Sequence, residues 1–199
     1  MSKKKIAIIL IALLVVDQMV KIWIKTHMTI NESITVFPNW FFIHFIENPG
    51  AAFGMQLGGD HGKLILSLFR VVLSGFLIWY IGRLVKKQAP AGVVVGFGLI
   101  LAGAVGNIID SAFYGLIFSE STYTTVATMF PEGGGYAGFL HGKVVDMLYF
   151  PLFTGTYPGW FPWVGGEPFT FFSPIFNIAD SYITIGVIYL ILFQRKYFK

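Results

Sequence analysis

Phe176-Asn177-Ile178-Ala179-Asp180-Ser181 opens the last apolar run of the chain, and Val144-Val145-Asp146 precedes it. An aspartate a few residues inside a hydrophobic segment is expensive, so it is a functional-site hypothesis by default. A second aspartate able to reach it suggests a shared site. Two carboxylates meeting in a low-dielectric place are the chemistry of an aspartic hydrolase. Whether Asp180 sits in a spanning helix depends on the rest of the chain.

Outward from that stretch the sequence stays apolar. Of 199 residues, 55% are hydrophobic and 12% charged, with a mean hydropathy of +0.71, whereas a soluble domain carries about 25% charged residues. This is the composition of a membrane protein, with room for a handful of spans of about 20 residues each. Cysteine is absent, which excludes a disulfide framework, a thiolate nucleophile and a cysteine-based metal site. The formal net charge is +4, but the basic residues sit in short clusters beside apolar runs, where they set topology. Nucleic acid is therefore not an expected partner.

The pattern predicts one integral membrane domain over 1–199, with spans at about 6–24, 64–85, 92–110 and 174–193 and outer regions at 25–63 and 111–173. A cleaved signal peptide is the rival reading of the first run; its length, its Asp17 and Lys21, and the lack of a small-residue cleavage site argue for a retained helix. The three predicted cytoplasmic pieces hold nine of the fourteen Lys and Arg (Lys3, Lys4, Lys5, Arg83, Lys86, Lys87, Arg195, Lys196, Lys199) and no Asp or Glu. That is a positive-inside pattern with both termini in the cytoplasm. The glycines of the third span, Gly96, Gly98, Gly103 and Gly106 among them, suit close helix packing.

Between the first two spans, Thr35 to Ile46 is rich in aromatic and β-branched residues broken by turn formers, which favours short strands at the outer interface. The region 111–173 is dense in Gly, Pro and aromatics and is expected to lie on the membrane surface. The fold class is thus an all-α membrane protein: four transmembrane helices, a small extracytoplasmic β-sheet region and a long outer loop.

With this topology the intramembrane polar residues gather at one depth. Asp17 and Lys21 are spaced i,i+4, and Asn107/Asp110 and Asn177/Asp180 are each i,i+3, so each pair shares a helix face. Each pair also has a structural reading: Asp17 and Lys21 as a mutually neutralising ion pair, the other two as interhelical hydrogen-bonding groups. His44, His61 and His141 lack metal-ligand spacing, so no metal is expected. Ser67, Ser74, Ser111 and Ser181 have neither an elbow motif nor an arranged base.

Five motifs stand in order: Asp17-Gln18 with Lys21, Asn48-Pro49-Gly50-Ala51-Ala52-Phe53-Gly54, Gly106-Asn107-Ile108-Ile109-Asp110, His141-Gly142-Lys143-Val144-Val145-Asp146 and Phe176-Asn177-Ile178-Ala179-Asp180-Ser181. On four spans they resemble the lipoprotein signal peptidase (signal peptidase II) family of bacterial inner-membrane aspartic proteases. The resemblance implies an endopeptidase that cuts prolipoproteins just before a diacylglyceryl-modified cysteine, with Asp146 and Asp180 as the catalytic pair and no cofactor. It implies supporting roles for Asp17, Lys21, Asn48, Gly50, Asn107, Asp110, Asn177 and Ala179, and binding of globomycin-type inhibitors. Membrane lipids are the other expected partner. The chain departs from the family at Ser111, where an arginine is common, at Met147 in place of phenylalanine, and in a longer outer region. Arg70 and Lys143 are candidate stand-ins for that arginine.

A shared proton on such a dyad lets one carboxylate take a proton from water while the other polarises the scissile carbonyl. The strand-rich segment from Thr35 to Phe53 is suited to cradle an extended peptide, and the long outer loop to form a lid or rim. The alternative from another class is a small transporter or channel subunit with a proton or cation path through Asp17, Asp110 and Asp180. It predicts polar groups in the inward half, where the sequence offers almost none.

Overall fold

The computed structural model of the chain describes residues 2–49 and 59–198, the side chains of 59–63 and Leu66 excepted. Helix α1 runs Lys3–His27, its first turn capped by the Ser2 hydroxyl accepting from the Lys5 amide at 3.3 Å. Helix α2 is Gly59–Lys86. Helix α3, Ala91–Ile109, continues through a π-helical turn, Asp110–Tyr114, into the short α4, Gly115–Ile117. Helix α5 is Ile178–Phe193, followed by a 3-10 turn at Arg195–Phe198.

Lys3–His27, Ser67–Lys86 and Ala91–Ile117 are long and apolar enough to cross a membrane; α5 is apolar but has 16 residues. Several bounds differ from the sequence expectation. The first helix is longer at both ends than 6–24, the second begins at Gly59 rather than 64, and the third passes Asp110 to reach Ile117. The last helix starts at Ile178, not at 174. Pro174 brings no N–H, Ile175 and Phe176 pair as a strand, and Asn177 then caps the helix, so the four preceding residues are spent before it begins.

The strands β1 (Ser33–Phe37), β2 (Phe41–Asn48), β3 (Val144–Tyr149) and β6 (Ile175–Phe176) form an antiparallel sheet in the order β1-β2-β3-β6. The region read as a long outer loop therefore supplies a central strand. Val144 and Val145 are β-branched and buried, and the alternation of a pleated strand does the rest. One face of the β2/β3 ribbon, with Phe45, Val145 and Met147, packs on Ile24, Met28, Tyr114 and Phe118 from α1 and the helical turns. The other face carries Asn48, Asp146, Leu148 and Phe150 to a cavity. Between β3 and β6 the chain makes a separate hairpin, β4 (Phe153–Thr156) with β5 (Pro168–Phe171).

At the other end of the helices, Ile6, Leu77, Ile81, Leu84, Val93, Val94, Leu101 and Leu190 form an apolar core. Helices α3 and α5 approach most closely through glycine. A Cβ at Gly103 would strike the Ala179 carbonyl oxygen, and one at Gly106 would lie 2.6 Å from Asp17 Oδ2 and 3.1 Å from Ala179 Cβ. This contact sets Asn107, one residue beyond Gly106, against the first turn of α5.

Candidate active site

The first turn of α5 is closed by a capping box: Asn177 Oδ1 accepts from the Asp180 amide at 2.9 Å, and Asp180 Oδ2 accepts from the Asn177 amide at 3.4 Å. A backbone N–H can only donate, so Asn177 must turn its oxygen to it and its Nδ2 elsewhere. That nitrogen donates to Asp146 Oδ1 at 2.6 Å and to Asn107 Oδ1 at 3.1 Å. The same logic fixes Asn107. Lys21 donates to its Oδ1 at 2.9 Å, which leaves Asn107 Nδ2 to donate to Asp180 Oδ1 at 2.8 Å. Each aspartate is thus held by an asparagine whose orientation is set by an obligatory donor.

Asp146 also accepts from Asn48 Nδ2 at 3.3 Å. Asp146 and Asp180 both face a cavity of about 1050 Å³, lined further by Asn48, Arg70, Phe150 and Thr184. Burial, and after it the charge of Asp180, push the Asp146 carboxyl up to about 7, against the opposing hydrogen bonds from Asn177 and Asn48. The site can offer one base and one acid on the same cavity wall.

Behind the pair lies a fully buried cation. Lys21 pairs with Asp17 Oδ2 at 3.1 Å and Asp110 Oδ2 at 2.8 Å besides its bond to Asn107, so its three N–H groups are all used. The two carboxylates pass this order outward along the backbone. Asp17 Oδ1 accepts from the Ala179 amide at 3.0 Å, steering the start of α5, and Asp110 Oδ2 accepts from the Val145 amide at 3.3 Å, steering β3. So Asp17, Lys21 and Asp110 do not line the cavity but hold the two elements that do. Ala179 acts through its amide and its small side chain. Gly50 lies outside the described residues.

Gln18 is the residue whose role the sequence reading missed. Its Nε2 donates to Asp17 Oδ2, Asp110 Oδ1 and the Gly106 carbonyl at 3.1, 3.0 and 3.3 Å, and its Oε1 accepts from Tyr114 at 3.1 Å. An amide adjoining an intramembrane aspartate was the available signal. Lys25 and Glu47 form a second buried ion pair, joined by Ser121 and Lys143, on the opposite face of β2 from Asn48. Lys143 is paired with Glu47 and Glu120 at 3.4 and 3.1 Å. Of the two candidates for the cation missing at Ser111, Arg70 alone lines the cavity with the aspartates. Ser111 itself turns its hydroxyl to the Asn107 carbonyl at 3.0 Å.

Apolar helices of spanning length, a sheet seated at one end of them, and two carboxylates facing one cavity at the junction are the marks of a membrane peptidase. The sequence profile for Signal peptidase (SPase) II matches residues 9–195, and the chain belongs to that family. A lipoprotein signal peptidase of Porphyromonas gingivalis is 53% identical over 190 residues, covering 95% of this chain and 82% of that one. One from Amoebophilus asiaticus is 37% identical over 200 residues, covering 98% and 80% respectively. A solved bacterial membrane enzyme matches the fold with a TM-score of 0.62 at 26% identity, covering 98% of this chain and 89% of that one.

Proposed function

We propose that the chain removes the signal peptide of bacterial prolipoproteins, cutting immediately before the diacylglyceryl-modified cysteine with Asp146 and Asp180 as catalytic dyad. The observation that carries this reading is the pair of aspartates on one cavity, each oriented by its own asparagine donor. The ionised member takes a proton from water as that water attacks the scissile carbonyl, and the protonated member donates to the carbonyl oxygen. The tetrahedral intermediate collapses when the dyad returns a proton to the leaving amine, so no covalent enzyme intermediate is needed. Either aspartate can begin as the base.

The substrate's acyl chains fit the setting. Each buried CH₂ contributes roughly 0.8 kcal/mol to anchoring, so a diacylated cysteine holds its peptide at the bilayer interface. The cavity wall is mainly aromatic and aliphatic, with Leu148, Phe150, Phe172, Ile175, Phe176 and Ile185 around the polar pair. In this reading α1, α2, α3 and α5 all span the inner membrane, with both termini cytoplasmic and the sheet on the outer side. The alternating face of β2 and β3 cradles the peptide, and globomycin-type inhibitors occupy the same cavity.

The test is cleavage of a diacylglyceryl-modified prolipoprotein peptide by purified protein, comparing wild type with Asp146→Asn and Asp180→Asn. Wild-type cleavage at the bond before the modified cysteine, abolished in both folded variants, is the expected result. Activity surviving in either variant would sink the dyad.

A further inference from the structure

Between Asp146 and Asp180 the only charged residue is Glu167. The middle of this stretch is the β4–β5 hairpin, which among the described residues pairs with no third strand and has no fully buried residue in either strand. An isolated two-stranded hairpin is marginally stable at best in water. This one is nonetheless fully built. Its strands carry stacked Phe153 and Phe171 with centroids 4.7 Å apart, and its tip is closed by Phe161 N to Pro158 O at 2.9 Å and Gly165 N to Phe161 O at 3.0 Å.

The tip presents its largest side chains outward. Trp160 is 79% exposed and Trp163 98% exposed. Trp163 also has φ +65°, a left-handed conformation that costs a bulky residue energy, and at its exposure packing among the described residues does not return it. Uncharged, aromatic and exposed is a composition suited to the headgroup layer of a bilayer, where an indole ring finds both an apolar phase and hydrogen-bond acceptors. The root of the hairpin lies beside the cavity. Phe150 before β4 and Phe172 after β5 line the cavity, Phe150 stacks on Phe176 with centroids 5.8 Å apart, and α5 begins two residues beyond Phe176.

We infer that the β4–β5 hairpin is a membrane-dipping arm, its tip of Trp160, Phe161 and Trp163 resting in the phospholipid interface beside the mouth of the aspartate cavity. The bilayer is the occupant because it alone is always adjacent to helices of this kind and needs no charge on the arm. The arm has two consequences: the bilayer covers the hairpin faces that the protein leaves open, and the cavity mouth is held at the depth of the interface. The first consequence is independent of the peptidase reading; the second rests on it.

The test uses the full-length protein in phosphatidylcholine vesicles, with Trp160→Phe/Trp163→Phe as the reference that isolates the tip signal from Trp23, Trp40 and Trp79. The difference spectrum is expected to be blue-shifted, quenched by lipids brominated near the glycerol end of the acyl chain, and protected from aqueous iodide. Iodide quenching equal to that of the protein in detergent-free denaturant would overturn the arm. Protection from both quenchers would overturn it too, because a protein surface would then cover the tip. A separate readout is KM for a diacylglyceryl peptide in vesicles, expected to rise about threefold or more in Trp160→Ser/Trp163→Ser with kcat unchanged. Blue shift and lipid quenching in a protein that cleaves nothing would leave the arm standing and reject the peptidase reading.

Discussion

Asn107 donates from Nδ2 to Asp180 Oδ1 at 2.8 Å only because Lys21 holds the other side of the same amide. A buried ammonium on α1 thereby orients a carboxylate on α5 without touching it. Asn107→Ala removes the donor while leaving Lys21 its two carboxylates, and a hydrogen bond to a charged group is worth about 1.5–3 kcal/mol. Cleavage efficiency is expected to fall about 10- to 150-fold. Asn107→Asp should be worse, since it presents a third acid where a donor is required. Folded Asn107→Ala with kcat/KM within twofold of wild type would remove this amide from the mechanism.

The raised Asp146 carboxyl predicts the alkaline side of the activity profile. The dyad works with one proton, and Asp146, pushed up to about 7 by burial and then by Asp180, loses its proton through that pH. Cleavage is expected to decline above neutrality with an apparent midpoint near 7. Stability has the same sign. A carboxyl whose folded value exceeds its ordinary 3.8 contributes stability below 3.8 that is lost as pH rises through about 7. Asp146→Asn should accordingly raise Tm at pH 8 by more than at pH 5. Equal shifts at both values would show that Asp146 carries no such penalty.

Lys21 answers for two carboxylates that are themselves buried, Asp17 and Asp110. Breaking a buried pair by removing one partner costs about 3–5 kcal/mol, more than neutralising both sides. Lys21→Met is expected to lower folded yield and Tm sharply. Adding Asp110→Asn to it should recover part of the loss, because one unpaired charge is then gone. If the double variant is no more stable than Lys21→Met, the ion-pair account of this cluster fails.

Much of this site is legible in the sequence because charge inside an apolar run has few structural excuses. Asp17, Lys21, Asn107, Asp110, Asn177 and Asp180 announce themselves by spacing and by depth. Their division of labour does not. Asp110 works through the Val145 amide, and that bond depends on a π-helical turn whose register no periodicity reveals. The strand that carries Asp146 was hidden in a region whose Gly, Pro and aromatic content reads as loop, since pairing partners β2 and β6 lie far away in the chain. Gln18 is hard to read from sequence for a similar reason: a neutral amide beside an aspartate has no pattern of its own, yet it joins α1 to Asp110 and Tyr114.

Arg70 is the remaining charge on the cavity. It rises from an otherwise apolar stretch of α2, lines the same cavity as Asp146 and Asp180, and makes no ion pair within 4.0 Å among the described residues. A cation facing a carboxylate pair favours the ionised member, so it lowers the pH at which the first proton leaves. Removing it must move the acid limb of the activity profile upward. Arg70→Gln is expected to do this and to reduce kcat/KM at neutral pH about tenfold, the equivalent of one charge-assisted contact of ~1.4 kcal/mol. Arg70→Lys keeps the charge and should restore the limb even if the rate recovers only in part, whereas Lys143→Gln, on the Glu47 and Glu120 side of the sheet, should leave the limb where it is. The pH dependence of kcat/KM for the four proteins decides it. A loss of rate in Arg70→Gln with an unmoved acid limb would make Arg70 a contact for the substrate and not a counter-charge to the dyad.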